Sequence, residues 1–301
     1  MGAGHQGDRI RGRKLTLMKA PSFKYIRADS LDHALDLLAD FGEDARVLAG
    51  GQSLLPVLNM RLAKPAVLID INGIASLGGI ESSADGLRIG ALTRHCEVLA
   101  SADVARVAPL LSEAMPHVAH PAIRNRGTFG GSLALADPAA EIPAICLALD
   151  AVFELRSKRG TRRVPAAEFF LDLYTTMLEP DEILVAAIIP VSDGPQRCAF
   201  EELARRRGDY AIVGTGARIR TAPDGSTTVR IAMFGVGSAP ILARATARAL
   251  ENRPLDRAAL DDAREMLNQD ISPMDDIHMS AAAKRYLAGV QLDDVLRRLA
   301  A

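Results

Sequence analysis

Apolar residues recur at helical spacing over Leu31, Ala34, Leu35, Leu38 and Phe41, directly behind Ser30 and ahead of Gly42. That pattern predicts a helix capped by Ser30 and ended by Gly42. A short strand through Val47 and Leu48 then runs into a glycine pair. The apolar run AVLIDI (66–71) reads as a buried strand, and GLRIGAL (86–92) alternates as a half-exposed one. Thr93 is expected to start a helix leading through Val98 and Leu99, and a second helical pattern spans Pro109 to Pro121. It gives way to an irregular segment over 120–144. Strands are expected at 151–157 and 183–190, followed by SDGP (192–195), the best candidate for a domain boundary. Beyond it come the strands AIVGTGARIR and TVRIAMFGVGS, then helices. The last of these covers 280–300, with Gly289 weakening its middle.

A chain of 301 residues with 49% hydrophobic content can build two globular domains. Its 36 basic and 37 acidic residues leave a formal charge of -1, which gives no reason to expect nucleic acid or an anionic membrane as partner. Cys96, Cys146 and Cys198 are too widely spaced for a zinc or iron–sulfur motif, so no metal is expected on this chain. Sparse cysteines fit a reducing cytoplasm. No apolar run is long enough for a transmembrane segment. Residues 1–17, glycine-rich and basic, read as a disordered leader or an upstream extension.

Two Gly-Gly pairs carry the candidate chemistry. Gly50-Gly51 lies in VLAGGQSLLP (47–56) and Gly130-Gly131 in TFGGSLALADPAAE, each followed at once by a polar residue. Consecutive glycines permit positive φ and bring backbone N–H groups close to a ligand. Such a nest binds anions, and Ser53, Thr128 and Ser132 add hydroxyl donors. A pyrophosphate between the two loops is the natural ligand; a pair of ordinary tight turns is the plainer alternative. Neither loop has the GxGxxG or GK[ST] pattern of the common nucleotide folds. Asp137 and Glu141 suit ribose or ribityl hydroxyls, or else serve as an Asx turn before Pro138 and an early helix residue.

RVLAGGQSLLP and IRNRGTFGGSLALADPAAEIPA, with EPDEIL and RRRGDYAIVG downstream, resemble the FAD-binding medium subunit of the molybdenum hydroxylases, the family of aerobic carbon monoxide dehydrogenase and xanthine dehydrogenase. The resemblance covers residues 18 to 295. It implies an α+β chain: a PCMH/vanillyl-alcohol-oxidase-type FAD domain of two subdomains over 18–193, then a smaller α+β domain of the carbon monoxide dehydrogenase flavoprotein kind over 194–301. It further implies that Arg46, Ala49, Gly50, Gly51, Gln52, Ser53 and Leu54 surround the FAD pyrophosphate, closed over by Thr128, Phe129, Gly130, Gly131 and Ser132. Asp137 and Glu141 would meet ribose and ribityl hydroxyls, Leu184 would offer backbone contacts near the flavin, and Tyr210 would lie beside the isoalloxazine. The chain departs from the family at Gln52, often histidine, at Glu141, often aspartate, and at Glu202, often lysine. The last reverses a charge near the flavin, for which Arg205 to Arg207 are possible substitutes.

The sequence shows no catalytic triad signature and no HExxH, so no catalytic residue is assigned, and the dispersed histidines, His117 and His120 included, are read as structural or flavin-adjacent. Chemistry would then belong to the cofactor. The resemblance implies a heterotrimer in which a large molybdopterin-binding subunit hydroxylates substrate. A small [2Fe-2S] subunit passes electrons on, and FAD on this chain delivers them to an acceptor. A self-sufficient FAD oxidase or dehydrogenase of the same fold and a non-enzymatic nucleotide-binding module are the alternatives.

Overall fold

A computed structural model describes residues 19–300; the leader at 1–17 lies outside the described residues. Three main sheets follow one another along the chain, and a short hairpin around Tyr174 pairs Phe170–Asp172 with Thr175–Thr176. The first is parallel, with Val67–Asp70 between Lys24–Arg27 and Ala45–Leu48. The helix Leu31–Phe41 packs on it through Ala34, Leu35, Leu37 and Leu38. Ser30 caps that helix, its hydroxyl accepting from the His33 N–H at 3.1 Å. Gly42 ends it in a positive-φ conformation, as the pattern predicts.

The second sheet is antiparallel, in the order Ile80–Ser83, Gly86–Gly90, Ile183–Ile189, Val152–Ser157, Gly160–Pro165. Gly86–Gly90 is almost wholly buried rather than half-exposed, and only Arg88 turns outward, to Glu154 at 3.2 Å. The reason lies in its neighbours. It has a strand on each side, Leu87 and Ile89 enter the large core, and backbone at Ile189 and Leu77 lies against Gly86 and Gly90. The central strand Ile183–Ile189 belongs to both cores: Ile183 and Val185 join the one under the first sheet, while Leu184, Ala187 and Ile189 join the large helical one.

Two expected helices and one segment expected to be irregular differ from the structure. The helix after the second strand pair starts at His95, not Thr93, because the Thr93 hydroxyl donates to the Gly79 carbonyl at 2.9 Å. The pattern over 109–121 forms only Pro109–Ala114; Pro116 has no N–H with which to continue it. The segment 120–144 is largely helical, with helices at Pro121–Arg124, Phe129–Leu135 and Glu141–Ala148. Gly130-Gly131 therefore sits inside a helix's first turn and is not a positive-φ loop.

Residues 190–195 lead into the third sheet, ordered Gln196–Ala204, Ala211–Thr221, Thr227–Phe234, Ile241–Leu242. The helices Arg257–Asp270 and Ala281–Ala300 cover one face of it. Gly289 does not interrupt the last helix. It lets Arg264 approach, since a Cβ there would lie 3.3 Å from its Nε. Phe200, Ala211, Ala232 and Phe234 on the other face join the large core, seating this sheet on the helical lobe. Cys146 is fully buried in that core, and burial pushes its thiol far up.

Candidate functional site

A cleft of about 690 Å³ opens where the three sheets meet. Of the residues singled out from sequence, all but Phe129 line it: Arg46, Ala49, Gly50, Gly51, Gln52, Ser53 and Leu54 on one wall, Thr128, Gly130, Gly131, Ser132, Asp137 and Glu141 on the facing one, with Leu184 and Tyr210. Phe129 points away into the core and is fully buried, its N–H donating to the Thr93 carbonyl at 2.9 Å.

The first wall grows from the end of the parallel sheet. Strand Ala45–Leu48 runs straight into Ala49 and Gly50, and Gly51 turns the chain with φ 72° into the helix Leu54–Asn59. Among the described residues the N–H groups of Gly50, Gly51, Gln52 and Ser53 have no acceptor. Four neighbouring free donors at a cleft wall are what an anionic group requires. Gln52 turns its side chain back, its Nε2 donating to the Gly50 carbonyl at 3.1 Å. Arg46 likewise donates to the Glu43 and Ala45 carbonyls, at 2.9 and 2.7 Å. What Gln52 offers the cleft is its backbone, so Gln52→Ala is expected to weaken dinucleotide binding by no more than about fivefold, the worth of one loop hydrogen bond. Flavin fluorescence titration checks this, and a loss beyond a hundredfold would show that the side chain reaches the ligand.

The opposite wall works differently. Thr128 caps the helix Phe129–Leu135, its hydroxyl accepting from the Gly131 N–H at 3.2 Å, and the Gly130 N–H donates to the Ala91 carbonyl at 2.8 Å. These N–H groups are committed within the protein, so the second glycine pair is not a nest. Glycine is required there for close packing: a Cβ on Gly130 would run into Ala91, and one on Gly131 would lie 2.6 Å from Thr128 Oγ1. From this wall the Thr128 and Ser132 hydroxyls face the cleft as side-chain donors.

Two residues that no sequence motif marked tie the walls together. Asn72 Nδ2 donates to the Ala49 carbonyl at 2.7 Å and to Asp70 Oδ1 at 2.7 Å. Arg94 donates to Asn72 Oδ1 at 2.8 Å and to the Arg126 carbonyl. Gly50 sits against that same carbonyl, leaving no room for a Cβ. Both residues lie just past strand ends in otherwise ordinary sequence, which carries no spacing signal for such a bridge.

The far end of the cleft is acidic and aromatic. Helix Phe129–Leu135 ends on Ala136 in a left-handed conformation, which turns Asp137 toward the cleft. Asp137 accepts from the Ala139 N–H at 2.9 Å and from the Tyr174 hydroxyl at 3.3 Å, with the Tyr210 and Ser53 hydroxyls close by. Asp137 thus makes the Asx turn before Pro138 and also lines the cleft. Glu141 likewise begins the helix Glu141–Ala148 and lines the cleft. Burial, with Asp137 adding repulsion, pushes its carboxyl up to about 7. Burial also pushes Glu202 up to about 8, with Glu141 beside it, and Glu202 Oε2 has no partner. Tyr210 is pushed up to about 12 by burial and by Asp137. Burial opposes ionisation of Glu182 as well, yet its two bonds from Arg162, each 2.7 Å, hold it below the ordinary value. His117 stacks edge-on against Phe200 at 4.9 Å and His120 packs on Gly208, so both act in packing.

This cleft fits a flavin dinucleotide: two walls that Gly50 allows to meet, four free N–H groups for phosphates, and buried carboxyls for polyol hydroxyls. Comparisons with known proteins agree. The model for the FAD binding domain in molybdopterin dehydrogenase matches residues 21–192, and that for the CO dehydrogenase flavoprotein C-terminal domain matches 198–299. The chain is 41% identical over 284 residues to the 6-hydroxypseudooxynicotine dehydrogenase complex subunit alpha of Paenarthrobacter nicotinovorans, covering 94% of this chain and 95% of that one. It is 38% identical to the caffeine dehydrogenase subunit beta of Pseudomonas sp. strain CBB1, covering 94% and 96%. Carbon monoxide dehydrogenase from Hydrogenophaga pseudoflava, solved without the Mo-pyranopterin moiety, superposes with a TM-score of 0.89 at 36% identity, over 93% of this chain and 97% of that one. With a flavin-shaped cleft and both domains matched in order, the chain belongs to the family of FAD-binding medium subunits of carbon monoxide dehydrogenase and related molybdenum hydroxylases.

Proposed function

We propose that this chain is the FAD-carrying electron-transfer subunit of a cytoplasmic heterotrimeric molybdenum hydroxylase. A small [2Fe-2S] subunit would supply the electrons, a large molybdopterin-binding subunit would take the substrate, and an external acceptor would receive the electrons. The observation that carries the reading is the row of free N–H groups from Gly50 to Ser53, facing buried carboxyls across a cleft of dinucleotide size. Among the described residues no helix is long and apolar enough to cross a membrane.

FAD, when bound, supplies the redox chemistry and lets electrons arrive singly and leave in pairs. This chain's residues do the rest. Gly50 to Ser53 hold the pyrophosphate through backbone N–H groups, with the Thr128 and Ser132 hydroxyls opposite. Asp137 and Glu141 accept hydrogen bonds from ribose or ribityl hydroxyls. Leu184 and Ile183, at the start of a strand buried on both faces, give the ring a rigid apolar seat beside Tyr210. Glu202, near Glu141, adds a carboxyl that burial holds neutral. Arg205 points to His278, 3.3 Å away.

The test is the visible spectrum of the purified chain after addition of FAD, followed by mixing with carbon monoxide, a purine, an N-heterocycle or an aldehyde. Flavin absorption should appear, and one of these substrates should bleach it only when both partner subunits are present. No flavin absorption overturns the reading; bleaching by the chain alone would make it a self-sufficient dehydrogenase.

A further inference from the structure

His95 opens the helix His95–Ala100 at the back of the cleft, its backbone N–H donating to the Gly127 carbonyl at 3.1 Å. Its ring lies flat under the loop that leads to Thr128, so that a Cβ on Gly127 would come within 3.0 Å of Nδ1. The residue is 6% exposed and lines the cleft, yet neither Nδ1 nor Nε2 has a hydrogen-bond partner. Buried polar atoms in folded proteins are nearly always paired, so an imidazole with both nitrogens idle calls for a partner that arrives with a ligand.

We propose that His95 donates a hydrogen bond to the pyrophosphate of the bound dinucleotide, a role that rests on the FAD reading above. The donors on this wall narrow the choice. The Gly130 and Gly131 N–H groups are committed to Ala91 and Thr128. Two neighbouring guanidinium groups are committed, Arg124 Nη1 donating to the Val118 and Ala119 carbonyls at 2.8 and 2.7 Å and Arg94 to Asn72 and Arg126, while Arg126 itself is exposed and does not line the cleft. That leaves the Thr128 and Ser132 hydroxyls and the imidazole facing the free N–H row of Gly50 to Ser53. Burial first, then Arg124 and Arg94, hold the ring down at about 4, opposed by the Thr128 backbone, which approaches the ring without completing a hydrogen bond. Around neutral pH the ring is therefore uncharged and always keeps one N–H to give.

The test compares the full chain with His95→Phe, which fills the space without a donor, and His95→Gln, which restores one, by titrating the apoprotein with FAD and with riboflavin. His95→Phe should bind FAD at least about tenfold more weakly, the loss of one hydrogen bond to a charged group, with riboflavin affinity unchanged. His95→Gln should recover most of that loss. Equal FAD binding by wild type and His95→Phe, or equal losses for FAD and riboflavin, overturns the role of His95 and leaves the FAD reading standing. A wild-type chain that does not bind FAD overturns both. Should His95→Phe fail to fold, imidazole 15N NMR of the wild type decides. The His95 resonances should move on addition of FAD and not of riboflavin, and unmoved resonances refute the contact.

Discussion

Gly50→Val is expected to leave the protein folded and almost free of FAD, with less than about a tenth of the wild-type flavin per chain after purification. The added Cβ would collide with the Arg126 carbonyl and lie 2.9 Å from the Gly127 Cα, both of them backbone atoms that no rotamer change can move aside. The strain must then be relieved by parting the two loops, breaking the Arg94–Asn72 bridge and dispersing the row of N–H donors. Overpacking of this kind costs about 1–3 kcal/mol, and the lost phosphate contacts add to it, so affinity should fall well over a hundredfold. Gly50 belongs to none of the three apolar cores, which is why the fold survives. The checks are the 450 nm flavin to 280 nm protein absorbance ratio and far-UV circular dichroism; a folded variant with full flavin content refutes the clamp. Gly51 works through conformation instead, since its φ of 72° strains any side chain.

The apoprotein is expected to lose stability as pH rises from about 5 to 8, and Glu202→Gln to remove much of that loss. Glu141 and Glu202 are both raised from their ordinary value of 4.5, to about 7 and about 8. Below pH 4.5 folded and unfolded chains both hold these protons, and stability is fully present. Between 4.5 and the folded values the unfolded chain has released them while the folded chain still holds them, so stability falls with each step in pH. Above about 8 the folded chain has released them too, and the loss is complete. For Glu141 alone the loss is on the order of 3 kcal/mol. Glu202→Gln removes the charge that faces Glu141 and gives it an amide donor, so at pH 8 the melting temperature should rise on the order of 5 °C, with little change at pH 5. Thermal melts at both pH values check this, and a rise of equal size at both would show that the carboxyl pair is not its cause.

The first jaw was legible because its signal is local. A strand pattern runs into two glycines, and Gly51 does adopt the left-handed turn that glycine permits. The second jaw carried the same dipeptide with a different physical meaning. Gly130 and Gly131 are helical, there to let the helix lie on Ala91 and Thr128, and only the preceding Thr128, a good N-cap, hinted at it. Phe129 was swept in by its neighbours, although within a helix its side chain points away from theirs. Gly86–Gly90 is more buried than its alternation predicts because the glycines on its other face are closed over by backbone at Ile189 and Leu77, which no side-chain pattern reports. Asn72, Arg94 and His95 escaped notice for a related reason: each acts by a contact far away in sequence, and such contacts leave no periodicity. Glu202 stood out in sequence as a reversed charge, but only burial beside Glu141 shows that it is held as a neutral acid.

The strand Ile183–Ile189, with alternate residues in two cores, has a mechanical consequence. It acts as a single beam under both walls of the cleft, so the walls cannot swing apart like the lobes of a hinged binding protein. The exposed parts of the cleft lie at its rim, where Tyr174 and Tyr210 are open to solvent. Once inside, a dinucleotide rests on a floor shared by two cores, which fixes the level of its ring relative to both walls.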